Sequence, residues 1–242
     1  MKKILLLLAV LFAQFSFAQE DTDVTKKRAN EIGIEFLGLI DGQTLLTYER
    51  SFGRKFTGLI GGGTKSEEGL LNISGIDGPT IKTGGLSYSG YKLLLEGRYY
   101  LKDHVNGRAT GFYLGLYTKF SSFSSDLTGL YTNSEGEDFN FNFDAGIDVL
   151  SIGFMVGYKL PLSKRFALDF LIAGPGTGNY SFNLKNNSDD LPDEFFEDLS
   201  DALESVGIFD IIDSDFEFNR NNRKSVFNTV SFRYALSLKY NF

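Results

Sequence analysis

The last twelve residues, SFRYALSLKYNF (231–242), place a large apolar side chain at every second position: Phe232, Tyr234, Leu236, Leu238, Tyr240 and Phe242. Ser231, Arg233, Ala235, Ser237, Lys239 and Asn241 stand between them. A period of two sorts these sets onto the two faces of a β-strand, and a helix would scatter them. The same alternation recurs in Glu31–Ile40, Thr44–Phe52, Phe56–Thr64 (Gly-rich and ambiguous in facing), Tyr91–Leu101, Thr110–Ser122, about 141–160 and Arg165–Ala173. Within 141–160 the apolar set changes parity near Val149–Leu150, which predicts a bulge or a loop residue there. The 27 glycines, four prolines and 15% aromatic residues suit strands joined by tight turns.

The connections separate into two kinds. Asp41–Gln43, Gly53–Lys55, Lys102–Arg108 and Pro161–Lys164 are short, whereas about 65–90, 123–140 and 185–224 are long. From Gly53–Lys55 onward the two kinds alternate, so short connections fall at one end of the sheet and long ones at the other. Transmembrane barrels have this asymmetry. The face opposite the apolar one carries Glu35, Glu49, Glu96, Asp169, Lys92, Lys119, Lys239, Arg98 and Arg233. About eight strands enclose only enough room for side chains, and charges held there must be paired. The apolar face then lies against lipid, and closure satisfies every backbone amide. The expected fold is all-β: an eight-stranded antiparallel transmembrane β-barrel over 30–242, or ten strands if part of 70–90 pairs.

At the other end, MKKILLLLAVLFAQFSFAQ has a basic start, an apolar run of about ten residues, and Ser16 and Ala18 at the cleavage positions. It reads as a signal peptide over 1–18, followed by a periplasmic lead, Gln19–Ala29. Loss of Lys2 and Lys3 takes the net charge from −7 to −9, which argues against nucleic acid. With no cysteine, disulfides, thiolate nucleophiles and Cys-ligated metals are excluded.

The terminal Phe242, with Tyr240 two positions earlier, resembles the C-terminal assembly signal of Gram-negative outer-membrane barrels. LLLEGRYYL (93–101), GFYLGLYTKF (111–120) and SIGFMVGYKLPLSKRFALDFLIAGPG (151–176) resemble a family of small outer-membrane barrels of unknown function, related in shape to the OmpA and OmpX types. The resemblance implies a place in the cell outer membrane, contact with its lipid, and delivery to the barrel-assembly machinery through the last strand. It carries no catalytic residue.

Motifs of chemical interest are sparse. GLIGGGTKS (58–66) departs from a phosphate loop because Thr64 interrupts the pattern and no helix follows. GPGTG (174–178) ends a strand and reads as a loop turn. His104, the single histidine, lies in a short turn, away from an extracellular substrate. One histidine and no cysteine leave no transition-metal site. The inward carboxylates Glu35, Glu49, Glu96 and Asp169 are expected to pair with Arg98 and Arg233 rather than act as acid and base. No catalytic, cofactor or metal residue is expected, and the chain reads as a non-enzyme.

The last long connection is the most individual stretch. Its twelve acidic residues between Asn186 and Asn219 have no basic companion. DDLPDEFFEDLSDALESVG (189–207) sets Leu191, Phe195, Leu199, Leu203 and Val206 on one helical face, with Asp190 as cap and Pro192 in the first turn. A short extracellular helix docked on the barrel rim is expected. DSDFEFN (213–219) begins like a calcium loop but lacks its glycine and final glutamate. Weak, nonspecific divalent-cation binding is therefore expected over 189–217. The leading reading is a structural or surface-interaction barrel; the others are a small passive pore and an outer-membrane lipid-modifying enzyme.

Overall fold

A computed structural model describes residues 28–67, 75–85, 87–186, 191–204, 218 and 223–242. The leader and all of the expected lead before Arg28 lie outside them, as do Asp190, Val206 and most of DSDFEFN. Nine strands form one sheet: β1 (Asn30–Glu35), β2 (Gln43–Phe52), β3 (Phe56–Lys65), β4 (Ile81–Thr83), β5 (Ser89–Tyr100), β6 (Gly111–Thr132), β7 (Asp138–Pro161), β8 (Phe166–Asn186) and β9 (Lys224–Asn241). Every pairing is antiparallel, and the sheet closes on itself where β1 meets β9 and β6 meets β7. The ring has eight strands. The ninth, β4, comes from within 70–90, pairs with Gly129–Tyr131 beyond the end of β5, and bridges back to Asp77 through Lys82.

The register defines the ring's pitch. Gly33, Thr47, Gly61, Leu94, Lys119, Ser151, Gly178 and Thr229 are successive partners across the strands. Gly33 itself meets β9 at Lys239, an offset of ten residues from Thr229. Ten residues of stagger over eight strands tilt the strands by about 40° and give a backbone radius of roughly 8 Å. That interior admits side chains and little more.

The strand faces agree with the alternation. Ile32, Leu46, Ile60, Leu95, Leu114, Ile152, Phe154, Ile172, Phe232 and Tyr234 are exposed on the outer surface, Phe154 and Tyr234 by 72% and 71%. Thr47, Glu49, Glu96, Arg98, Asp169, Arg233 and Lys239 are buried inside.

Four expectations need correction. The first strand stops at Glu35 instead of Ile40, because Leu37–Asp41 forms a 3-10 turn closed by Gly42 in the left-handed region (φ 69°). The long connection 123–140 is mostly strand: β6 runs to Thr132 and β7 starts at Asp138. No bulge interrupts Val149–Leu150, since odd-numbered residues of β7 face inward from Phe139 to Lys159. The irregularity sits in β8 between Leu171 and Gly174. GPGTG therefore lies within β8 rather than in a loop, and Pro175, which cannot donate to a ladder, follows the bulge.

Helix α1 (Glu194–Glu204) lies within the expected helical stretch. Leu191, Phe195, Leu199 and Leu203 are buried with Tyr131, Phe141, Phe143, Ile81, Leu127 and Leu184. The Phe195 ring stacks on Phe143 at 5.6 Å and meets Tyr131 edge-on at 5.2 Å. The helix thus docks on the part of β6, β7 and β8 that rises past the rest of the ring. At the opposite end the turns are compact, and Asn106 and Gly107 (φ 52° and 82°) close one of them as a type I′ hairpin pair would.

Candidate functional site: the charged lumen

Alternation delivers charged side chains from six ring strands into one enclosed space. Arg98 of β5 is its hub. Its Nη1 donates to Asp169 Oδ2 at 2.6 Å and to Glu49 Oε2 at 3.3 Å, and its Nε donates to Glu96 Oε2 at 2.6 Å. The guanidinium lies 4.5 Å from the centre of the Tyr113 ring. Lys159 of β7 donates to Glu31 at 2.7 Å and Glu49 at 2.8 Å. Arg233 of β9 holds Glu35 at 2.6 Å and pairs with Glu96. Lys239 donates to Thr47 Oγ1 at 2.7 Å and stands 3.9 Å from Asp169.

Neutral hydroxyls occupy further carboxylate oxygens. Thr57 and Tyr100 donate to Glu49 Oε1 at 2.7 and 3.1 Å, and Tyr113 donates to Asp169 Oδ1 at 2.9 Å. Every inward carboxylate named here is thus held by at least one cation. Charges withdrawn from water need such partners, and removing one partner from a buried pair costs about 3–5 kcal/mol. Close backbone approach makes room for the large rings: a Cβ at Gly153 would strike the Pro175 carbonyl and lie 2.7 Å from Tyr117 Cε1. Chemically the cluster is a compensated, hydrogen-bonded layer across the lumen.

Of the residues singled out in the sequence, Glu35, Glu49, Glu96, Asp169, Arg98, Arg233 and Lys239 come together here. Lys92 lies higher and bonds Gln43, and Lys119 lies apart from the network. Lys159 is missing from the inward set that the alternation singled out, although its place between outward Tyr158 and Leu160 carries the signal. The hydroxyl donors Tyr100 and Tyr113 stand on the charged face by the same parity, but their partners are set by cross-strand register.

His104 packs edge-on against Tyr100 at 5.5 Å, and neither ring nitrogen has a hydrogen-bond partner. Partial burial lowers its pKa, with the Lys159 ammonium adding to the effect. On the helix side, Tyr131 donates to Asp198 at 3.0 Å, and burial together with that bond raises its pKa. Among the described residues, no group of His, Cys, Asp and Glu side chains is arranged to hold a metal ion. No described helix is long and apolar enough to cross a membrane.

These features define an all-β protein whose antiparallel sheet closes in a ring, apolar outside and charged within. The chain belongs to a family of proteins of unknown function, DUF3575, whose profile matches residues 50–186. No curated protein matches it. Among solved structures it is similar to a major outer membrane protein from Thermus thermophilus, at 14% identity over 88% of this chain and 98% of that one, with a TM-score of 0.41.

Proposed function

We propose that this protein is an eight-stranded β-barrel of the cell outer membrane with a structural or surface-interaction role, and that it is not an enzyme. The observation that carries the reading is the inverted distribution of polarity. The ring's outer face exposes Ile32, Leu46, Leu95, Leu114, Ile152 and Phe232 to its surroundings while ion pairs fill the inside. Water as the outer solvent would penalise that arrangement, and lipid favours it. In this setting the lipid is the first partner, and the last strand, with Tyr240 and Phe242, presents itself to the assembly machinery. The acidic stretch 189–217 attracts divalent cations weakly and without a defined site.

An ion-paired layer spanning the lumen opposes steady conduction, so the passive-pore reading is the weaker one. The test is gel mobility in SDS before and after boiling, followed by planar-bilayer recording. A heat-modifiable band from the membrane fraction and no steady channels are expected. An unshifted band with the protein in the soluble fraction overturns the barrel. Steady, ion-selective channels put the pore first.

A further inference from the structure

One layer of the lumen is not compensated. Lys119 of β6 points inward, in register with Leu94 on one side and Ser151 on the other. Lys65, Lys92, Arg98, Lys159, Arg233 and Lys239 each have a hydrogen bond or an ion pair. Among the described lumen cations, Lys119 alone has neither, and no aromatic ring stands over it. The charges that act on it are Lys92 and Arg233, both positive, and Glu35, which Arg233 already holds. Hydroxyls border the same level: Ser121 beside Lys92 in register, and Ser151 bonded to Ser231 at 3.1 Å. All three serines are buried.

An ammonium with a second cation nearby and buried hydroxyl donors around it lacks a counter-anion. We propose that the lumen above the ion-pair network is an oxyanion site for a phosphoryl group, held by Lys119 with Lys92 and the Ser151–Ser231 pair. Free phosphate and a phospholipid headgroup offer the same chemistry. For the second, a strand edge unpaired among the described strands stands nearby. β1 leaves β9 after the pair Glu35–Ser237, yet β9 continues up to Lys224. Along Val230, Phe232 and Tyr234, no described strand pairs with that edge.

The experiment uses the mature chain folded in non-ionic detergent. It is titrated by calorimetry with sodium phosphate and, separately, with monomeric dihexanoyl phosphatidic acid, against sodium chloride at matched ionic strength. Wild type is expected to bind at least one of the two, and Lys119→Met to weaken it by about tenfold or more, as loss of one charge-assisted contact does. Lys119→Arg should retain most of the affinity. In chloride alone Lys119→Met should melt no lower than wild type, because it removes an uncompensated charge. Phosphate binding marks the free anion as ligand; binding of the phosphatidate alone marks a lipid headgroup. Wild type binding neither, or Lys119→Met titrating like wild type, overturns the site. If Lys119→Met does not fold, the wild-type melting midpoint decides. It should rise in millimolar phosphate or phosphatidate, and no rise in either overturns the site. The titration reads the lumen whether or not the outer face meets a membrane.

Discussion

Strand β7 belongs to two different proteins at its two ends. Its odd-numbered residues face inward throughout, yet from Phe139 to Val149 the inward set is mostly apolar, and from Leu150 to Leu160 the outward set is. Near the turns the ring is charged inside and apolar outside. Near the helix it is aromatic inside, around Phe141, Phe143 and Phe195, and outward Asn140, Asn142 and Asp144 meet solvent. The backbone is continuous and only the polarity of the two faces is exchanged. In the proposed membrane setting, a parity switch with no bulge marks the height at which the wall would pass from lipid into water.

The sharpest way to break this contrast is to unbalance the charged end. Arg98→Met leaves Asp169, Glu96 and Glu49 without their shared cation. A loss of about 3–5 kcal/mol is expected, read as a lower urea midpoint for the detergent-folded protein. Arg98→Met with Asp169→Asn should recover part of it. A midpoint within experimental error of wild type for Arg98→Met would mean that water reaches the network.

The aromatic end should fail alone. Phe195→Ala removes a ring packed between Tyr131, Phe141 and Phe143, worth about 3–5 kcal/mol to the docking of α1. Proteolysis within the acidic connection should accelerate while the heat-modifiable band persists. Deleting 189–217 should likewise leave the ring folded, since no ring strand is cut. Loss of the band in either variant would show that the two ends fold as one unit.

Much of this was legible from alternation alone. The eight ring strands, the facing of most of them and most of the acid and base sets follow from a period of two; Gly-rich Phe56–Thr64 is ambiguous in facing. Lengths were less legible. The upper halves of β6 and β8 are mixed in polarity, with Gly129, Ser125 and Asn183 among their residues, and read as loop until cross-strand pairing supports them. Glu35 as the end of β1 was hidden because Phe36, Leu37, Leu39 and Ile40 look like more strand. The pairing partners of Arg98 were illegible for another reason: Asp169 reaches it across the lumen, through ring closure and stagger that no local pattern records.

A smaller effect tests how closely the two ends abut. Gly153 lies where the charged layer gives way to hydroxyls, and Gly153→Ala forces a methyl against the Pro175 carbonyl and the Tyr117 ring. Overpacking of this kind costs about 1–3 kcal/mol. Adding Tyr117→Phe should not relieve the loss, because the ring stays and the hydroxyl's bond to the Gly174 carbonyl is lost. Gly153→Ala with Tyr117→Leu should recover part of the loss. Failure to recover would place the strain in the backbone contact with Pro175.

The smallest expected effect lies at the turn end, outside the proposed span. His104 has its pKa lowered from the ordinary 6.5, first by burial and then by the Lys159 ammonium. The folded state therefore takes up a proton less readily than the unfolded chain. Stability contributed by the neutral ring is fully present above pH 6.5 and is lost as pH falls from there through the lower folded value. Because the ring is only partly buried, solvent screening keeps the difference below about 1 kcal/mol. Comparing urea midpoints at pH 7.5 and pH 5 for wild type and His104→Gln isolates it, since carboxylate protonation affects both proteins alike. Wild type should lose slightly more than the variant. An equal loss would show that the imidazole stays neutral, or stays solvated, in both states across that range.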